Sequence, residues 1–245
     1  MHSVFVGYDT KESEAFSVCR HSLLMHQPDL DIRALRLDDL RGAGLYRRPT
    51  SFREGRLWDD RSEAFMSTEH ANSRFLVPHL AGREGWAMFM DCDIISTCPV
   101  MQIFEQVDSK YAVMCVKHEY DVSSRVKMNG QEQMRYNRKN WSSVMLFNCE
   151  HPSNDRLTAE LINTVPGRDL HRYCWLSDHE IGALDPKWNW LVGHSSFDIE
   201  PALIHYTEGL PSMLGYENCA YSNEWREMRS DWLGSTIKRV NWLCR

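Results

Sequence analysis

Long apolar runs are missing from this chain of 245 residues. No stretch approaches the length that crosses a bilayer as a helix, and no charged-then-apolar leader precedes the strand-like opening Ser3-Val4-Phe5-Val6-Gly7-Tyr8-Asp9. The expected location is therefore cytoplasmic. Close-spaced cysteine pairs are missing too. The eight cysteines lie scattered from Cys19 to Cys244, in a chain far longer than small disulfide scaffolds, so they read as mostly reduced core thiols. Positive charge is not in excess: a net charge of −6 and a pI near 6.0 offer no global attraction to a polyanion, and no nucleic acid partner is expected. Neither a G-x-x-x-x-G-K-[ST] phosphate loop nor a G-x-G-x-x-G fingerprint occurs, and there is no H-E-x-x-H. Gly193-His194-Ser195-Ser196-Phe197 lacks the last glycine of a nucleophile elbow. Internal repeats and low-complexity tracts are absent.

What is present suits a sizeable core, with 42% hydrophobic and 25% charged residues. The β-rich run Ser3 to Tyr8 is followed by Phe16, Cys19, Leu23 and Leu24 near helical spacing up to Pro28, then by a second strand from Ile32 to Leu37. This is a βαβ opening, and it predicts an α/β fold with a mostly parallel central sheet flanked by helices. Residues 39–63, with Arg47, Arg48, Arg53, Arg56 and Arg61, show little apolar period and read as a long loop or flap. A helix is predicted over 62–80, a buried strand over Trp86 to Met90, and further strands at Tyr111 to Val116 and Ser143 to Phe147. Helices are predicted near 154–163, 177–184 and 223–233.

The Trp86 strand runs directly into Asp91-Cys92-Asp93. Alternation along an extended chain sends both acids to one side and Cys92 to the other. Two carboxylates there form a site for a hard divalent cation such as Mg²⁺ or Mn²⁺, which commonly bridges carboxylates to substrate phosphates.

Several segments, in order, resemble the family eight glycosyltransferases, which include glycogenin and bacterial lipopolysaccharide galactosyltransferases. Val6-Gly7-Tyr8-Asp9 is similar to the family's opening strand ending in an acid, and Arg74-Phe75-Leu76-Val77-Pro78 to its R-x-x-x-P; Asp91-Cys92-Asp93 matches its D-x-D. Trp141-Ser142-Ser143-Val144-Met145-Leu146 resembles N-S-G-V-M-L. Asp178-His179-Glu180 with Trp188-Asn189 resembles D-Q-D followed by W-N, and His205 to Gly209 loosely resembles H-F-x-G.

The resemblance implies one glycosyltransferase A domain over 1–245, with a nucleotide-sugar half at 1–117 and an acceptor-side half with C-terminal helices at 118–245. It implies transfer of a sugar from a nucleotide-sugar, UDP-linked by family habit, to a glycan or lipid-linked hydroxyl, with retention. Asp91, Asp93 and His205 become metal ligands. Val6, Tyr8, Asp9, Arg74, Cys92 and Gly209 fall on the donor side, and Asp178 and His179 are the catalytic candidates. His179 stands where the family has Gln, and Pro211-Ser212-Met213 where it has Lys-Pro-Trp; Arg74, Lys117 or an arginine of the 39–63 stretch are the candidates to replace that lysine. The alternatives are a nucleotidyltransferase or sugar-nucleotide hydrolase, and an inactive carbohydrate-binding protein. The basic and apolar C-terminal segment 236–245 suggests weak peripheral membrane contact.

Overall fold

The computed structural model of the chain describes residues 2–118, 138 and 140–243. The first elements are β1 (Ser3–Gly7), α1 (Ser13–His26), β2 (Ile32–Leu35), α2 (Leu37–Gly42), β3 (Thr50–Arg53), β4 (Arg56–Asp59), β5 (Ala64–Phe65) and α3 (Val77–Leu80). Next come β6 (Trp86–Met90), β7 (Ile94–Ser96), β8 (Val113–Cys115), β9 (Val144–Asn148), α4 (Ala159–Thr164) and α5 (Gly167–His171). The last are β10 (Ile181–Ala183), β11 (Trp190–Leu191), β12 (Leu203–His205) and α6 (Ser222–Leu243).

The central sheet has six strands in the order β10-β8-β9-β6-β1-β2. β1 pairs in parallel with β2 and β6, and β10 with β8, while β9 runs against both β6 and β8. The sheet is thus mostly parallel, and its central strands are continuous apolar runs because both faces are covered. Val4, Val6, Met88 and Met90 point into a core shared with α1. Phe5, Ala87 and Phe89 point the other way, toward Leu76, Phe147 and Tyr173. β7 turns back from the end of β6 and pairs antiparallel with β12, which pairs in parallel with β11.

Three expectations are corrected. The 39–63 stretch is no loop: it holds α2 and the strands β3 and β4, which with β5 form a small antiparallel sheet. The turn Glu54-Gly55 has both residues at positive φ, 53° and 72°, the twist that closes a two-residue hairpin. Trp58 lies edge-on to Phe65 across the β4–β5 pair, at 5.0 Å. The 62–80 helix shrinks to a 3-10 turn at Ser73–Leu76 and the one-turn α3, and the 177–184 helix is a 3-10 turn at Asp178–Glu180 leading into β10. In the first the apolar residues serve short elements buried on more than one side, and in the second they belong to an edge strand entered through an exposed turn, so periodicity misleads.

Among the described residues no helix is long and apolar enough to cross a membrane. The side chains of 237–243, together with Cys244 and Arg245, lie outside the described residues, and so does most of the segment expected to meet a membrane.

Candidate metal centre and donor cleft

Asp91 follows the carboxyl end of β6, where parallel strands place their ligand-facing loops. Its backbone N–H donates to the Ser143 carbonyl at 2.9 Å, and the Tyr206 N–H donates to the Asp93 carbonyl at 2.9 Å. These two bonds pin both ends of Asp91-Cys92-Asp93 between β9 and β12. His205, the last residue of β12, is paired with Ile94 of β7, so its ring comes back over the acids. Donor atoms of Asp91, Asp93 and His205 all lie within 4.8 Å of one another.

Each member is held by a further group. Asp91 meets two side chains from one helical turn, His70 and Arg74, four residues apart and so on one face. Arg74 is buried, and its guanidinium also donates to the carbonyls of Ala71 at 2.9 Å and Ser142 at 2.7 Å. Desolvation opposes charge on Asp91, but Arg74 and His70 outweigh it and hold its carboxyl below the ordinary carboxylate range. His205 Nδ1 is 2.9 Å from Asn189 Oδ1, an acceptor only, so Nδ1 carries the hydrogen and Nε2 is left to face the acids. Asn189 in turn donates to Ser143 Oγ at 2.9 Å.

His205 Nε2 lies 3.2 Å from Asp93 Oδ1, a buried oxygen with no hydrogen-bond donor. Burial alone would depress the His205 pKa, yet Asp93 and then Asp91 raise it above the ordinary imidazole value. The pocket thus demands positive charge. A divalent cation seated between two carboxylates and one imidazole would meet that demand.

The remaining expected residues are placed as follows. Val6 is fully buried in β1, between β2 and β6. Tyr8 has Arg36 over its ring at 3.6 Å and Phe16 against its edge. Asp9 is buried and accepts from the backbone N–H groups of Lys11 at 2.8 Å and Glu69 at 2.9 Å, tying the loop after β1 to the turn carrying His70. Cys92 is buried and turns away from the metal group toward Glu12, with its thiol raised well above the ordinary range by burial and then by Asp93. Gly209 lies against the Tyr216 ring, which a Cβ there would meet at 2.5 Å. Lys117 donates to the Ile181 carbonyl at 2.7 Å.

Asp178 and His179 are not brought into the metal group. They sit on the exposed turn entering the amino end of β10, with Asp178 paired to Arg138, whereas Asp91 leaves the carboxyl end of β6, a strand parallel to β10. Their neighbour Glu180 closes a capping box with Ser177.

The sequence did not single out His70, Asn189 or Glu12 as members of this site. The i, i+4 spacing of His70 and Arg74 was the readable sign of the first. Glu12 left no sign; it reaches Cys92 Sγ at 3.3 Å, and burial followed by the nearby Asp93 raises its pKa to about 7.

No family model matches the sequence. Protein CDI of Arabidopsis thaliana is 40% identical over 228 residues, spanning 91% of this chain and 83% of that protein. The chain belongs to the Protein CDI family. Among solved structures, it is similar to the bifunctional glycosyltransferase WbbM (TM-score 0.62, 13% identity, 97% of this chain and 51% of that one). It is also similar to the glycosyltransferase GlyE of Streptococcus pneumoniae (0.59, 15%, 98% of this chain and 65% of that one). The galactosyltransferase LgtC, solved with donor and acceptor sugar analogues, matches over 94% of this chain and 96% of its own, with TM-score 0.56 and 10% identity. The chain therefore spans about half of WbbM and under two thirds of GlyE. At these identities the likeness establishes the fold, which is the glycosyltransferase A fold.

Proposed function

We propose that this member of the Protein CDI family is a metal-dependent glycosyltransferase that moves a hexose from a UDP-sugar to the hydroxyl of a glycan or lipid-linked acceptor, with retention. The observation that carries the reading is the Asp91, Asp93 and His205 group at the carboxyl edge of a glycosyltransferase A sheet. A divalent cation held by these three residues, Mn²⁺ or Mg²⁺, supplies Lewis-acid stabilisation of the charge that grows on a departing diphosphate.

The chain's own residues prepare that site. Arg74 keeps Asp91 ionised and fixed, and Asn189 keeps the Nε2 lone pair of His205 directed inward. Val6, Tyr8, Asp9 and Gly209 form the donor side, with the nucleotide lying along the loop after β1. Arg36, stacked on Tyr8, adds a cation beside that loop, where the family lysine after Gly209 is missing. The resemblance assigns Asp178, with His179, to the sugar carbon, where a carboxylate stabilises oxocarbenium character, although the turn that carries them lies apart from the metal group. Asp178→Asn tests this role: turnover should fall with donor binding unchanged, and unchanged turnover would remove Asp178 from the chemistry.

UDP is expected to compete for the donor site better than the guanosine or cytidine diphosphates. Competition binding that ranks UDP last would contradict the donor assignment.

A further inference from the structure

His70 is buried to 1%, on the turn that also carries Arg74. Its Nε2 lies 3.1 Å from Asp91 Oδ1, while its Nδ1 is buried without a hydrogen-bond partner. A carboxylate oxygen only accepts, so Nε2 donates. The ring has little freedom to do otherwise: a Cβ on Gly7 would stand 2.4 Å from its Cδ2 and 2.6 Å from its Nε2, and Phe89 flanks it at 6.1 Å between centroids. Gly7 is the last residue of β1, so strand and ring are fitted to each other.

The two oxygens of Asp91 are not equivalent. Oδ1 faces both His70 Nε2 and Arg74 Nη2, the latter at 2.9 Å. Oδ2 faces Arg74 Nη1 at 3.3 Å. Oδ1 thus carries a hydrogen bond from His70 and an ion-pair contact from Arg74 and is the more occupied oxygen, Oδ2 the more open, and the Asp91 side chain keeps 16% of its surface exposed.

We propose that His70 is a positioning residue that commits Asp91 to hold the cation through Oδ2 alone. With His70 and Arg74 both on Oδ1, Oδ2 is the oxygen left for a metal, and the four-membered bidentate mode is disfavoured. A one-oxygen carboxylate keeps a small coordination shell, which suits Mn²⁺ or Mg²⁺ over Ca²⁺, an ion that takes more oxygens and accepts bidentate carboxylates. The inference rests on the cation reading above and concerns how that cation is selected.

The test is titration of the full-length protein, free of substrate, with Mn²⁺ and separately with Ca²⁺. Free Mn²⁺ is followed by its paramagnetic resonance signal and Ca²⁺ binding by calorimetry, with near-ultraviolet circular dichroism as the check on folding. His70→Ala is expected to weaken Mn²⁺ binding by about 10–100-fold, the usual effect of losing a partner that orients a ligand, and to narrow the preference for Mn²⁺ over Ca²⁺. His70→Gln, whose amide N–H can reach the same oxygen, should restore most of both. Gly7→Ala removes no polar group but pushes the His70 ring aside, and should mimic His70→Ala; it carries the test should His70→Ala not fold. Wild-type affinity and Mn²⁺ to Ca²⁺ ratio in a folded His70→Ala or Gly7→Ala variant would overturn the proposal. A wild-type chain that binds no Mn²⁺ would overturn the cation reading and this inference together.

Discussion

Asn189 chooses the tautomer of His205 before any ligand arrives, because an amide oxygen fixes which ring nitrogen carries hydrogen. Asn189→Leu should therefore weaken Mn²⁺ binding by roughly 10–100-fold, whereas Asn189→Asp, which keeps the acceptor, should weaken it less; equal losses in the two would refute the role. Asp93→Asn removes charge from an oxygen that has no hydrogen-bond donor. Turnover is expected to drop ~10²-fold or more, the scale for losing one electrostatic contact to a developing charge. His171 makes a different point. Its Nδ1 is 2.6 Å from Ser142 Oγ, and burial, then Arg74, pushes its pKa from 6.5 down to about 3. The unfolded chain takes up that proton first as pH falls, so stability from this residue is present above pH 6.5 and lost progressively from there toward pH 3. Melting temperature measured against pH should slope less in His171→Gln than in the wild type between those limits; identical slopes would contradict the assignment.

At the scale of elements, the β3–β4–β5 sheet is clamped by Arg48 and Asp59, both wholly buried. Arg48 also donates to the Ile162 and Val165 carbonyls at 2.6 and 2.7 Å, and Asn72 donates to Asp59 at 3.2 Å. Breaking such a pair from one side strands a buried charge, at a cost of about 3–5 kcal/mol. Arg48→Met should lower the melting temperature by roughly 10 °C, given about 2–4 °C per kcal/mol for a chain of this size; a change within error would show that the clamp contributes nothing. The hairpin tip lies over the loop after β1, where Lys11 Nζ meets the Gly55 carbonyl at 3.2 Å, so the Arg-rich stretch walls the proposed donor side.

The same elements show what the sequence carries. β1 and β6 were legible because apolar runs bounded by turn residues mark strands covered on both faces, and β2, a half-exposed edge strand, followed from the βαβ opening; Asp91 and Asp93 followed from the end of β6. The hairpin was not, because its stability comes from Arg48 reaching residues more than 110 positions away. His70 and Asn189 act through partners 21 and 16 positions distant, a pairing only the folded chain creates. The turn at Asp178–Glu180 passed for a helix start because its capping box is the same one that opens true helices.

On the scale of the whole molecule, β1, β2, β6 and β8 come from before residue 117, and β9 and β10 from after it, so one sheet joins the segments that carry Asp9, Asp91 and Asp178. α6 packs back against α1, with Arg229 paired to Glu14 at 2.7 Å, closing the side of the molecule opposite the hairpin's clamp to α4. Such a frame holds Asp91 and Asp93 from one loop and His205 from the end of a strand near one point, which is what a single bound cation requires. The most direct measurement is release of nucleoside diphosphate from a panel of nucleotide-sugars by chelator-treated protein, with an acceptor mixture of glycans and lipid-linked sugars, before and after adding back Mn²⁺. The expected result is no release without metal, restoration by Mn²⁺ at least as well as by Mg²⁺, a UDP-sugar as the preferred donor, and loss of the restored rate in folded Asp93→Asn. Full turnover in the chelated protein, or in that variant, would contradict the account.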